Sequence, residues 1–116
     1  MILAVLDDIL FTSKIKTAAS QLGATVTFAR SASAARAAME QTAPSLVILD
    51  LNSARTDPLS VVQWMKSNPA LASVPTVGFV SHVQTDVIQA ARAAGVTDVL
   101  ARSAFTAQLG DILRRA

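Results

Sequence analysis

Asp50 closes the apolar run Leu46-Val47-Ile48-Leu49, and the pair Asp7-Asp8 closes another, Ile2-Leu3-Ala4-Val5-Leu6. A short apolar run bounded by turn signals reads as a buried strand. Each carboxylate therefore stands at the carboxyl end of a strand, the edge where open α/β sheets place their chemistry. Carboxylates gathered there suit a hard divalent cation or a phosphoryl group. Competing chemistries are absent. Cysteine is missing, which removes thiol nucleophiles, disulfides and cysteine–zinc sites. The lone histidine, His82, has no His or Cys companion for zinc and reads as a solvated loop residue at the pocket's edge. No Gly-rich phosphate loop and no nucleophile–base pair occurs, so a hydrolytic enzyme is not expected.

The elements that must position these carboxylates alternate five times. Strands are expected over Ile2–Leu6, Thr25–Phe28, Ser45–Asp50, Thr76–Val80 and Thr97–Ala101. The first helix spans Ile9–Leu22, with Phe11, Ile15, Ala18, Ala19 and Leu22 at helical spacing and Gly23 as its stop. Ser31 can cap a helix over Ala32–Gln41, which ends before Pro44. Asp57-Pro58 reads as an N-cap followed by proline at the first helical position, and that helix runs to Lys66. Helices over Gln84–Ala94, closed by Gly95, and Ala104–Arg114 complete the chain. Five βα units predict a doubly wound, five-stranded parallel sheet in the order 2-1-3-4-5 with helices on both faces. The switch point then falls between the first and third strands and brings Asp7 beside Asp50.

Bulk properties agree with one domain over 1–116 and exclude several classes. Hydrophobic residues make up 52% of the chain, against disorder, and no apolar run approaches the ~20 residues of a membrane span. The N-terminus lacks a signal-peptide pattern, and a cytoplasmic location is expected. The net charge of +2 is scattered over Lys14, Lys16, Arg30, Arg36, Arg92, Arg114 and Arg115. There are four Phe, one Trp and no Tyr, so nucleic-acid binding is not expected. Trp64 reads as core-facing or half-buried. Ile9-Leu10-Phe11 reads either as a buried helix face or as an apolar rim that docks a partner.

Over essentially its whole length this layout resembles a response-regulator receiver domain. The segment Leu46 to Leu59, LVILDLNSARTDPL, is similar to the family's segment around its phospho-accepting aspartate, with Asp50 in that role. The resemblance implies a flavodoxin-like fold and a part in bacterial two-component phosphorelay signalling. It also implies a magnesium ion held by Asp7, Asp50 and the backbone carbonyl of Asn52. Ungapped spacing back from Gly23 puts Asp7 at the family's second acidic position and Leu6 at its first, so Asp8 falls one residue late. Spacing from Pro75 puts Val80 at the Ser/Thr switch position, with Ser81 one late. Val99 stands at the aromatic switch position, Arg102 at the lysine position and Ser103 at the proline that usually follows.

Arginine keeps the lysine's charge but presents a planar fork, expected to pair with Asp50 or Asp7 in place of a metal ion. On that pairing, Asp50→Asn would be destabilising. Asp50 is then either a carboxylate held by Arg102 and backbone amides, or a working acceptor. The expected function is a receiver-like adaptor that acts by protein contact, independent of phosphorylation and without a cofactor. The alternative is a conventional phospho-acceptor using Asp50, Asp7 and Asp8 with Mg2+. From the family, the partner (another signalling protein or a second copy) is expected on the fourth helix, fifth strand and last helix. Gln84, Gln89, Arg92, Thr106 and Gln108 would face outward there.

Overall fold

The computed structural model describes residues 1–81 and 84–116; His82 therefore lies outside the described residues. The elements alternate as anticipated: β1 (Ile2–Val5), α1 (Ile9–Leu22), β2 (Val26–Ala29), α2 (Ala32–Gln41), β3 (Leu46–Asp50), α3 (Pro58–Lys66), β4 (Thr76–Val80), α4 (Thr85–Ala94), β5 (Asp98–Ala101), α5 (Arg102–Ala107) and α6 (Leu109–Arg114). The five strands pair in parallel in the order β2-β1-β3-β4-β5. This is the flavodoxin-like arrangement.

Strand alternation divides the core between the two faces. Leu3, Val5, Val47 and Leu49 pack with Met39 of α2, Val61, Val62 and Met65 of α3 and Ala91 of α4. Ile2, Ala4, Ile48, Val77 and Phe79 pack with Phe11 and Ile15 of α1, Phe105 of α5, and Leu109 and Ile112 of α6. The central strands β1, β3 and β4 are buried on both faces, which explains why they read as unbroken apolar runs. Trp64 is half-buried against the first of these cores.

Helix ends follow local chemistry. The Asp8 carboxylate accepts the Phe11 N–H at 3.0 Å and caps α1. Gly23 ends it at φ 68°, a left-handed conformation that costs glycine nothing. Ser31 caps α2 by accepting the Ala34 N–H at 3.1 Å. Two expectations need correction. Asp57 holds the N-cap position of α3, but at φ 43° its side chain makes no capping bond. The last helix breaks at Gln108, at φ −100° and ψ 6°, into α5 and α6. Gly110 favours no helix there, while Phe105 and Leu109 both stay buried across the break.

Candidate functional site

The carboxyl ends of β1 and β3 lie side by side, because Val5 pairs with Leu49. Asp50 is the last residue of β3 and is only 8% exposed. Its Oδ1 accepts the backbone N–H of Asn52 at 3.0 Å, a turn that aspartate makes with the residue two positions on. Asp7 accepts a hydrogen bond from the Ser53 hydroxyl at 3.0 Å, which ties the loop after β3 back to the end of β1.

Arg102 opens α5, across the same edge. Its Nη2 donates to Asp8 Oδ2 at 2.7 Å, and its guanidinium lies 4.3 Å from the centre of the Phe11 ring. The expected pairing with Asp50 or Asp7 is thus replaced by one with Asp8. Asp8 is able to take it because one oxygen caps α1 and the other is left facing α5. The Phe11 ring lies under the guanidinium carbon and gives it a cation–π contact.

Asn52 does more than its position suggested. Its side-chain Oδ1 accepts the Ser81 N–H at 2.6 Å, and its Nδ2 donates to Gln84 Oε1 at 2.6 Å. One amide therefore ties the β3–α3 loop to both flanks of the β4–α4 connection. Gln84, used in this way, does not cap α4. The structural roles of Ser53 and Phe11 were not foreseen. Ser53 sits in a polar loop, and nothing local marks which carboxylate its hydroxyl meets.

Of the residues expected at switch positions, Val80 is buried at the end of β4 and offers no hydroxyl. Ser81, next along, is exposed, and Val99 is half-buried on the edge strand β5. Ile9 and Leu10 are exposed while Phe11 is buried, so the buried-face reading holds only for Phe11.

Burial pushes the Asp50 carboxyl above its ordinary value. The Asn52 N–H and the Arg102 charge pull it back in part, and the charges of Asp7 and Asp8 add to the rise. The Phe11 N–H, and next the Arg102 hydrogen bond, hold Asp8 below its ordinary value. The two groups oppose each other in pH dependence. Asp8 lends stability above the ordinary carboxylate value and loses it as pH falls through its lowered pKa. Asp50, with its folded pKa raised, weakens the fold at neutral pH, and that penalty is relieved as pH falls through its raised pKa. Asp50→Asn is therefore expected to stabilise at pH 7, reversing the expectation that followed from an Arg102–Asp50 pair. The gain should be on the order of 1 kcal/mol, about 4 °C in Tm for a domain of this size. It should shrink toward pH 4. Thermal melts at both pH values check it, and a lowered Tm at pH 7 would mean that the Asp50 charge is compensated.

Residues 2–114 match the response regulator receiver domain family. Among solved structures, the phosphorylated cyanobacterial phytochrome response regulator RcpA is 27% identical, with a TM-score of 0.81 over 97% of this chain and 87% of that one. The receiver domain of NtrX from Brucella abortus is 24% identical, with a TM-score of 0.81 over 99% of this chain and 96% of that one. A response regulator from Hahella chejuensis reaches a TM-score of 0.88 at 20% identity, over 97% of this chain and 91% of that one. At the last two identities the likeness speaks for the fold alone. No curated protein matches the chain.

The divalent ion that the family implies fits this donor set poorly. Asp8 divides its oxygens between Phe11 and Arg102, which leaves Asp7 and Asp50, each bonded through one oxygen to Ser53 and to the Asn52 N–H, with a single oxygen apiece for a cation. Among the described residues no three acidic or imidazole groups converge as a metal cluster. A guanidinium at this edge also offsets the negative charge that would draw a dication.

Proposed function

The chain belongs to the response regulator receiver domain family, and from that premise we propose that it is an adaptor whose protein contacts do not depend on phosphorylation. The observation that carries this reading is the 2.7 Å ion pair between Arg102 and Asp8. Phosphoryl transfer to a carboxylate is catalysed by positioning and by positive charge aimed at the phosphoryl oxygens. Here the cation at the lysine position is committed to Asp8 and to the Phe11 ring. Val80 supplies no hydroxyl to report a phosphoryl group. The Asn52 amide already bonds both sides of the β4–α4 connection, so a resident side chain holds a link that a phosphoryl group would otherwise have to create.

On this reading the chain is not an enzyme and needs no cofactor. Its partner, another signalling protein or a second copy, binds on α4, β5 and α5. Gln89, Arg92 and Gln108 are exposed there. Gln84 is exposed but bonded to Asn52, and Thr106 is turned partly inward, its hydroxyl donating to the Arg102 carbonyl.

The test is incubation with acetyl phosphate and magnesium, followed by intact-mass spectrometry and amide NMR. At most a few per cent of the chains should carry an adduct, and the signals of α4 and β5 should stay in place. A stoichiometric adduct that Asp50→Asn abolishes would establish the conventional phospho-acceptor instead.

A further inference from the structure

The start of α4 is held from outside the helix. Burial grips this end loosely. The buried residue of α4 is Ala91, near its C-terminal end, whereas α1 buries Phe11, Ile15 and Ala19, and α3 buries Val61, Val62 and Met65. Thr85 and Asp86 are exposed, and Val87 and Ile88 are only half-buried. A helix start leaves backbone N–H groups in need of partners, yet the Gln84 side chain does not cap this one. The far end is fixed. Gly95 closes the helix at φ 107°, and the Val96 N–H donates to the Ala91 carbonyl at 3.1 Å.

The group that meets the loose end is rigidly mounted. The Leu51 N–H donates to the Phe79 carbonyl at 3.0 Å, and the Asn52 N–H donates to Asp50 Oδ1 at 3.0 Å. Asn52 therefore stands on the buried end of β3. From there its side chain crosses the edge of the sheet to Ser81 and Gln84, both at 2.6 Å. The backbone fixes the orientation of the amide. The Ser81 N–H can only donate, so it meets Oδ1, and Nδ2 is left to donate to Gln84 Oε1. Elements with few buried apolar contacts are the ones that open locally. A pair of hydrogen bonds is enough to shift such an opening about tenfold.

We propose that Asn52 is a latch for α4: its side-chain amide holds the first turn of the helix in place, and without it that turn exchanges between held and released positions. The latch needs no phosphoryl group. Its use rests on the reading of α4 as part of the contact face, because a surface already held in one position loses less freedom when a partner binds.

The test is amide NMR of the whole chain without a phosphodonor. In the unmutated chain, transverse relaxation over Thr85–Gln89 should match that of α2. In Asn52→Ala it should rise at least about twofold through μs–ms exchange, while the signals of α2 stay in place and show the chain folded. Gln84→Glu should keep relaxation low, because a carboxylate accepts from Nδ2 and suits the positive end of α4. Asn52→Asp should do the same, because Gln84 can turn its amide to donate. Together these two substitutions set carboxylate against carboxylate, and the double variant should relax like Asn52→Ala. Unchanged relaxation in Asn52→Ala, raised relaxation over Thr85–Gln89 in the unmutated chain, or a double variant that behaves like its two parents would each overturn the latch. Failure of the adaptor reading shows elsewhere, as a stoichiometric adduct with acetyl phosphate, and leaves these relaxation rates as they are.

Discussion

Phe79→Ala should cost about 3–5 kcal/mol of stability, the range for truncating a buried aromatic. Phe79 is fully buried on β4, with the rings of Phe11 and Phe105 each 4.8 Å from its own, and those two rings are 5.7 Å from each other. The trio joins β4, α1 and α5 and fills the core on one face of the sheet. Domains of this kind are stable by only about 5–15 kcal/mol, so the variant should lose a large share of its margin. The loss also reaches the candidate site, because Phe11 is the ring on which Arg102 rests. With the cavity open, Phe11 can shift and Arg102 loses part of its seat. Urea denaturation of Phe79→Ala beside Phe79→Leu measures this. Leucine, which refills part of the space, should recover a substantial part of the loss. A cost below about 1 kcal/mol for alanine would show that the trio is not a packed unit.

Gly78→Ala should cost about 1–3 kcal/mol, the usual penalty for overpacking. A Cβ at Gly78 would meet Leu51 Cδ1 at 2.7 Å and Cγ at 2.9 Å. The Leu51 side chain is buried, so it cannot simply swing into solvent. It directly follows Asp50, and its N–H donates to the Phe79 carbonyl at 3.0 Å, so relief of the clash has to move the backbone next to Asp50. A double-mutant cycle isolates the contact. In a Leu51→Ala background the cost of Gly78→Ala should fall by at least about 1 kcal/mol. Strict additivity of the two substitutions would place the strain elsewhere.

The architecture was legible in the residues because its determinants are local. Apolar runs of four or five residues, helical spacing between them, and stops at Gly23, Pro44 and Gly95 are enough to count five βα units. Short parallel crossovers then leave few strand orders. The capping roles of Ser31 and Gly23 were equally local. Asp57 was not, since its backbone is left-handed in a loop whose neighbours Ser53 and Thr56 are buried. The break at Gln108 was also hidden, because Phe105, Leu109, Ile112 and Leu113 keep an apolar pattern across it.

The sequence by itself determined that acidic groups stand at the ends of two adjacent strands. Which carboxylate Arg102 takes was decided only in three dimensions. Asp7, Asp8 and Asp50 all lie near the switch point, and successive residues at a strand end project in opposite directions. Asp8 turns toward α5 because it caps α1, and Asp7 turns toward Ser53. That leaves Asp50 buried with one backbone donor, its charge raised in cost by the dry interior and by its acidic neighbours. Partner choice of this kind depends on side-chain reach between residues 46 apart in the chain for Asp7 and Ser53 and 94 apart for Asp8 and Arg102, and no spacing along the chain encodes it.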